Sequence, residues 1–245
     1  MENERSNYTL TDHLNELRDR VVMSAYAIVV GTVLCWGFSE RLFSWVRAPI
    51  APYLSRDGLV FTAPMDKFMA HIKLAVMGGF VLACPFWIYQ IWKFVAPGLY
   101  SKEKKYAMYF IGAGSGLFLT GVAFVYTVVF PMAFKFLLTF GGDADKPMIT
   151  INEYLSFFVT TTLVFGLAFE LPLILTLLGI IGLIDQKFLK EKRRYAVVGL
   201  AIVSAIITPP DALSMIMLLI PLVLLYELSI IALGIIERSE EQNRS

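Results

Sequence analysis

Residues 163–180 read LVFGLAFELPLILTLLGI, an almost unbroken apolar run that carries one carboxylate, Glu170. About 20 apolar residues in a helix cross the hydrocarbon core of a bilayer, so this run predicts a membrane-spanning segment. A carboxylate at mid-membrane is costly, which is why such a group normally faces a polar cavity or a partner. Thr162 lies two turns earlier, and Pro172 frees a backbone carbonyl near Glu170. We therefore expect an intramembrane polar groove that contains Glu170 and Thr162; the alternative is a neutral or paired acid that only aids packing.

The composition of the whole chain extends this interpretation. Of the 245 residues, 57% are hydrophobic and 17% are charged, and several further apolar runs approach the length of a membrane span. The hydropathy pattern predicts an all-α polytopic membrane protein with six transmembrane helices, at residues 21–38, 72–95, 106–138, 154–184, 195–208 and 212–236. The fifth helix is too short to cross a hydrocarbon core of roughly 30 Å at about 1.5 Å per residue.

The distribution of positive charge predicts the orientation of these helices. In the tails, the loops and the helix ends that adjoin them, fourteen Lys and Arg residues fall on the side of the two tails and seven fall on the opposite side. By the positive-inside rule, both termini are cytoplasmic. The first 20 residues hold five acidic side chains and show no secretory or transit signal, so we expect the N-terminus to be retained. We divide the single membrane domain, 1–245, into an N-terminal tail (1–20), a membrane core (21–236) and a C-terminal tail (237–245).

The residue inventory gives little support to catalysis or cofactor binding. The two histidines, His13 and His71, are predicted on opposite faces of the membrane, which excludes a histidine relay within one chain. No motif for metal or phosphate binding is present, and the net charge of +1 gives no argument for nucleic-acid binding. We therefore expect no enzymatic activity and no cofactor. In GAGSGLF, Gly112 and Gly116 have the spacing that lets two membrane helices approach closely.

Two acidic side chains on the predicted cytoplasmic face suggest a binding patch. Glu16 lies in the amphipathic tail TLTDHLNELRDRV, and Glu103 lies in the loop FVAPGLYSKEKKYA. Two neighbouring carboxylates would suit two guanidinium groups, which they bind with bidentate geometry. The structural alternatives stay open: Glu16 and Arg20 have the spacing of a simple ion pair, and Glu103 has the position of a helix-dipole partner. A third acid, Glu227, either snorkels to the cytoplasmic surface or acts within the bilayer.

Four blocks of sequence, taken together, resemble the TatC family, the multispanning receptor subunits of the twin-arginine protein translocase. These blocks are HLNELRDR at 13–20, PFWIYQIWKFVAPGLYSKEKK at 85–105, FGLAFELP at 165–172 and ITPPDALS at 207–214. The resemblance spans nearly the whole chain. It implies a cupped fold of six transmembrane helices, the last two of them short, with a concave face that is open to lipid.

The resemblance also implies a function and the residues that perform it. TatC-like proteins bind twin-arginine signal peptides at their cytoplasmic face and export folded proteins with the proton-motive force. The positions that match the family's signal-peptide patch are Glu16, Arg18, Phe94 and Glu103, and those that match its site for docking a partner helix are Ala205, Ile206 and Asp211. By the same resemblance, Glu170 lines a thinned groove that is used in transport.

The partners follow from the same resemblance. They are the signal peptides of folded cargo proteins, single-span proteins of the TatA and TatB type, and further copies of this chain in the active complex. The expected location is a bacterial cytoplasmic membrane, in which the chain contacts the lipid bilayer on many sides.

Two alternative functions remain at this stage. A proton-coupled solute transporter would also place a carboxylate such as Glu170 at mid-membrane. Transporters of this kind commonly contain inverted repeats with broken helices in matching halves, and the sequence shows no such repeat. A membrane scaffold would need neither Glu16 nor Glu103, so export should survive alanine at both positions.

Overall fold

The structure is a computed structural model that describes residues 10–54, 58–95, 107–139, 148–207 and 212–244. The α-helices in these ranges are α1 (Leu10–Trp36), α2 (Ser39–Arg47), α3 (Asp66–Leu82), α4 (Cys84–Val95), α5 (Ala107–Phe124), α6 (Phe130–Thr139), α7 (Ile151–Ala168), α8 (Leu171–Ile180), α9 (Gln186–Ile207) and α10 (Ala212–Arg244). A 3-10 helix at Ala51–Tyr53 follows α2, and a π-helical turn at Val125–Val129 joins α5 to α6. The predicted all-α fold is confirmed.

Four helices in the described ranges are long and apolar enough to cross a membrane: Leu14–Trp36, Met108–Thr139, Ile151–Ile180 and Leu218–Arg238. Taken together, the helices α3 and α4 are also long and apolar enough to form one span, with a bend of 55° between them. Pro85 lies in the first turn of α4, where its missing N–H and fixed φ favour a break in the helix. These segments correspond to five of the six predicted spans, and the polytopic membrane class is confirmed. The remaining predicted span, at 195–208, corresponds to α9, which is not apolar enough over its length to count as a membrane span.

Both of the last two helices are longer than predicted. The helix α9 has 22 residues and begins at Gln186 instead of 195, and α10 has 33 residues and continues to Arg244 instead of 236. The helix α1 begins at Leu10, so the amphipathic N-terminal tail is continuous with the first span. The reason for the longer helices is that hydropathy marks where a helix is apolar, whereas Lys, Arg, Glu and Gln continue a helix almost as well as Leu does. The apolar part of α9, 195–207, remains short.

The segment between α1 and α3, which we call the cap (residues 39–54 and 58–65), is held against the neighbouring helices at one end of the bundle. The hydroxyl of Tyr154 donates to the carbonyl of Val46, and the hydroxyl of Tyr126 donates to the carbonyl of Trp45 at 3.0 Å. Buried aromatic rings of α6 and α7 pack together beneath these bonds: Phe130, Phe134, Tyr154 and Phe158. These contacts fix the end of the bundle that lies opposite to the N-terminus of α1.

Two glycines allow a close crossing of α1 and α3. A Cβ atom added to Gly79 would lie 2.4 Å from the backbone nitrogen of Thr32, and one added to Gly31 would lie 2.8 Å from the carbonyl oxygen of Gly79. The close approach predicted at Gly112 and Gly116 was wrong, since a Cβ atom at either position would meet nothing within 4 Å in the described part of the chain. Both of these glycines lie on an exposed face of α5. Spacing alone therefore did not identify the helix face that packs.

Candidate functional site

The N-terminal end of α1 carries two ion pairs that differ in exposure. The Arg20 guanidinium donates to the Glu16 carboxylate at 3.1 Å, and the two side chains are only 22% and 24% exposed. Arg18 pairs with Asp19 at 3.1 Å, but both of these side chains are mostly exposed. The ion pair expected from the spacing of Glu16 and Arg20 is therefore present. It occupies one carboxylate oxygen of Glu16 and holds this side chain partly buried.

A groove of ≈ 520 Å³ runs beside this ion pair, between α1, α3 and α4. Its apolar wall includes Leu17, Val21, Ile28, Phe80, Trp87, Ile91, Phe94 and Leu167. Arg20 also lines the groove, and its Nε atom is buried without a hydrogen-bond partner among the described residues. The same is true of the Oε1 atom of Gln90, another residue of the wall. The groove thus brings the predicted site residue Phe94 next to the turn of α1 that carries Glu16.

Glu170 lies at the break between α7 and α8. Its backbone N–H donates to the Leu167 carbonyl at 3.1 Å, and α8 begins at the next residue with Pro172 in its first turn. Proline has no N–H and crowds the preceding turn, so a break at this place follows from the local sequence. The Glu170 side chain is 5% exposed, and its Oε1 atom has no hydrogen-bond partner among the described residues. The junction therefore holds a buried carboxylate oxygen that is open to a further partner.

The carboxylate of Glu170 lines a narrow cavity of ≈ 190 Å³ between α4, α5 and α8. The other lining residues are almost all apolar: Trp87, Ile88, Ile91, Trp92, Phe110, Leu167, Leu173, Ile174 and Leu177. Gly114 lets α5 approach the acid, because a Cβ atom there would lie 3.2 Å from Oε2 of Glu170. The indole Nε1 of Trp92 is also buried without a hydrogen-bond partner within the described ranges. An acceptor and a donor therefore lie on the walls of the same apolar cavity.

Thr162 does not share this cavity. It is buried and lines a separate cavity of ≈ 610 Å³, whose other walls come from α1, α2, α3 and α5. Thr162 and Glu170 are eight positions apart, which in a continuous helix would correspond to a rise of about 12 Å and a rotation of roughly 80°. The structure therefore places the two residues of the predicted polar groove in two different cavities, and it brings Glu170 together with Trp92 instead.

The residues predicted to dock a partner helix lie on an exposed face of α9. Ile206 is 78% exposed, Ala205 is exposed beside it, and Ile202 continues the same apolar face one turn earlier. A face of this kind is typical of contact with lipid or with another membrane helix. Two further predicted site residues, Glu103 and Asp211, lie outside the described residues.

Glu227 links α10 to α9 near the N-terminal half of α9. Its carboxylate accepts a hydrogen bond from Arg193 at 2.7 Å, and the two side chains are 38% and 50% exposed. Directly beside it, the hydroxyl of Tyr226 donates to the Leu189 carbonyl at 2.8 Å. Glu227 therefore takes part in an interhelical ion pair that is partly exposed.

The comparisons with known proteins agree with this fold. The model of the family described as Sec-independent protein translocase protein (TatC) matches residues 12–221 of the chain. The chain belongs to the TatC family. The TatC protein of Desulforapulum autotrophicum is 38% identical over 244 residues, which cover 99% of this chain and 90% of the relative. That of Helicobacter pylori strain J99 is 39% identical over 236 residues, which cover 96% and 93%. A crystal structure of the twin-arginine translocase receptor TatC has a TM-score of 0.83 at 34% identity, covering 91% of this chain and 98% of the other.

Membership of the TatC family establishes the general function. The protein is a multi-pass membrane protein of the twin-arginine translocase, and it is one component of a protein-transport system with other Tat subunits. The resemblance predicted from the four sequence blocks is confirmed. The solute transporter considered from Glu170 alone finds no support in these comparisons.

Three polar groups that line the cavities of this TatC-family protein were missed by the sequence interpretation. Arg20 was treated only as the ion-pair partner of Glu16, and neither Gln90 nor Trp92 was considered. One signal was available, because Gln90 is an amide inside the otherwise apolar stretch WIYQIW. Within the described ranges, no group of three or more His, Cys, Asp or Glu side chains is arranged to hold a metal ion.

Proposed function

We propose that this TatC-family protein recognises twin-arginine signal peptides at the end of the bundle that carries Glu16. The observation behind the proposal is the groove that Leu17, Arg20 and Phe94 line together, next to the partly buried carboxylate of Glu16. A signal peptide has a positively charged segment followed by an apolar one. The carboxylate of Glu16 is complementary to the charged segment, and the apolar groove beside it is complementary to the apolar segment that follows.

The charged step of recognition uses the carboxylate of Glu16. Arg20 occupies one of its oxygens, in an ion pair of a kind that contributes only about 0–1 kcal/mol when partly exposed. An incoming arginine therefore shares or displaces this bond at small cost and gains bidentate geometry, which a lysine lacks. Arg18 is already paired with Asp19, which reduces its repulsion of an arriving cation. In this proposal Glu103 receives the second arginine of the signal.

The apolar step uses the groove between α1 and α4. Leu17 of α1 and Phe94 of α4 both line it, and in this proposal the apolar segment of the signal enters between these two helices. The buried Nε atom of Arg20 is a hydrogen-bond donor and the Oε1 atom of Gln90 is an acceptor. Both atoms are suited to the polar backbone groups of the entering peptide, which need partners away from water.

The transport step, in our proposal, uses Glu170 and the exposed face of α9. A buried carboxylate oxygen and the Trp92 indole N–H share a cavity, and together they suit a polar group brought by the cargo or by a partner helix. Ala205, Ile206 and, outside the described residues, Asp211 form the docking site for a single-span Tat protein. With such partners and further copies of this chain, the protein exports folded cargo across a bacterial cytoplasmic membrane, driven by the proton-motive force, with both of its termini in the cytoplasm.

Site-specific photocrosslinking tests the signal-peptide proposal. A photoreactive residue is placed at Leu17 and, in a second variant, at Phe94, so that Glu16 stays intact. Val22 is the matched control position, because it is exposed, does not line the groove, and lies about 140° around α1 from Leu17. We expect a twin-arginine signal peptide to crosslink from positions 17 and 94 but not from 22, and a twin-lysine peptide to crosslink much less. Equal crosslinking of the two peptides, or equal crosslinking from all three positions, would contradict the proposed site.

A further inference from the structure

The N-terminal half of α9 carries a dense group of cations that the proposed function does not use. We call it the basic collar, and it consists of Lys187, Lys190, Lys192, Arg193 and Arg194. All five side chains are exposed, and the apolar part of α9 begins at the next residue, Tyr195. Successive helices run in opposite directions through the bundle, so the collar lies at the same end as Glu16.

Most of the acids around the collar bind groups other than its cations. Asp185 accepts from the N–H of Phe188 at 2.6 Å, and Glu237 accepts from the N–H of Gln186 at 2.8 Å. These two carboxylates therefore satisfy the free N–H groups at the start of α9. Among the described residues, Arg193 is the one cation of the collar with a carboxylate partner, Glu227. Lys190 and Arg194 donate to neutral partners, the Gln186 amide oxygen at 2.9 Å and the Tyr195 hydroxyl at 3.0 Å, so their charge stays available to an anion from outside the chain. Glu191 is the one acid inside the collar, and it is exposed.

Two aromatic rings beside the basic collar indicate its position relative to the membrane. The Lys192 ammonium lies 5.9 Å from the ring centre of Phe188 and 5.5 Å from that of Tyr195. The Arg194 guanidinium lies 4.8 Å from the same Tyr195 ring. Both rings are exposed, and exposed aromatic rings beside cations at the end of an apolar helix segment are typical of the membrane interface. The collar is thus placed at the level of the lipid headgroups.

An exposed apolar face of α9 begins at Tyr195 and continues toward the C-terminus of the helix. Tyr195, Val198, Ile202 and Ile206 follow one another at helical spacing, and all four side chains are exposed. A phospholipid has the matching order of groups, with a phosphate headgroup followed by acyl chains. A soluble anion would use the cations and leave this apolar face unused.

We propose that the basic collar binds the headgroup of an anionic phospholipid in the leaflet on the Glu16 side, with the acyl chains along the part of the α9 face nearest the collar, at Tyr195 and Val198, which leaves Ala205 and Ile206 to the partner helix. Charge complementarity and the continuous apolar face favour a lipid over a protein partner or free phosphate. A juxtamembrane Lys or Arg strengthens attraction to anionic lipid by roughly fivefold each. Neutralising three of the unpaired cations is therefore expected to weaken binding by about 100-fold.

Lipid titration of the purified full-length protein, followed by native mass spectrometry, tests this site. The test variant is Lys187→Gln/Lys192→Gln/Arg194→Gln. The matched control removes three exposed cations elsewhere, Arg41→Gln/Lys67→Gln/Lys135→Gln. The lipids are phosphatidylglycerol, which is anionic, and phosphatidylcholine, which is not, and glycerol 3-phosphate serves as a soluble competitor. Thermal unfolding of each variant shows that it is folded.

We expect the wild-type protein to prefer phosphatidylglycerol, the collar variant to lose this preference by about 100-fold, and the control variant to keep it within twofold. Glycerol 3-phosphate should not displace the lipid at equal concentration. Three outcomes would overturn the proposal: no preference in the wild type, the same loss in both variants, or displacement of the lipid by glycerol 3-phosphate. Twin-arginine peptide binding by the collar variant is measured in parallel, since it reports on the proposed function independently.

Discussion

A Gly79→Ala substitution is expected to separate α1 from α3. The added Cβ atom would lie 2.4 Å from the backbone nitrogen of Thr32, 2.5 Å from its Oγ1 and 2.8 Å from its Cα. Ordinary contacts of a Cβ atom begin at 3.4 Å, so the two helices must move apart by about 1.0 Å (3.4 − 2.4). The obstacle includes backbone atoms of a helix, which cannot turn away as a flexible side chain can.

Overpacking of this size typically costs about 1–3 kcal/mol. We expect the free energy of unfolding to fall by this amount, measured by reversible unfolding in mixed detergent micelles. Gly116→Ala is the matched control, because its Cβ atom would meet nothing within 4 Å and it makes the same chemical change in a helix. Since α1 carries Glu16, the Gly79 variant should also bind signal peptide less well than the control. Equal stability of the two variants would refute the claim that the crossing of α1 and α3 depends on this glycine.

Three further contacts that hold the bundle together are tested by substitution, and unfolding in mixed micelles measures each effect. Tyr154→Phe leaves a cap carbonyl without its donor and should cost about 1–3 kcal/mol; no change would mean that the cap is held elsewhere. Lys73→Met removes hydrogen bonds of 2.6 and 3.0 Å to α7 and should cost about 1–2 kcal/mol, whereas Lys73→Arg should cost less. Glu227→Gln should cost less than about 1 kcal/mol, and adding Arg193→Gln should change little more; a strictly additive second loss would argue against the ion pair.

The features that were predictable from the sequence are those set by local hydropathy. Glu170 stands out because it interrupts an apolar run, and Pro172 marks the helix break beside it. Both were found in the structure where the pattern placed them. The i, i+4 pair of Glu16 and Arg20 was predictable for the same reason, since helical spacing alone brings the two side chains together.

The features that the sequence did not reveal depend on which helix faces meet. Gly112 and Gly116 have the spacing of a packing motif, but the close crossing uses Gly31 and Gly79, which lie on different helices. Thr162 and Glu170 share one apolar stretch, yet the rotation between them sends their side chains into separate cavities. Helix ends were also misjudged, because charged residues extend α9 and α10 without any change that hydropathy detects.

The most direct test of signal recognition is the affinity of the purified protein for twin-arginine and twin-lysine peptides, measured for the wild type and for Glu16→Gln. Glu40→Gln is the control, since it removes an exposed carboxylate from α2, at the other end of the bundle. A hydrogen bond to a charged group contributes about 1.5–3 kcal/mol, so Glu16→Gln should weaken twin-arginine binding by roughly tenfold to 100-fold. We expect a much smaller loss for the twin-lysine peptide and none from Glu40→Gln. An equal loss for both peptides, or no loss at all, would contradict a role for Glu16 as an arginine ligand.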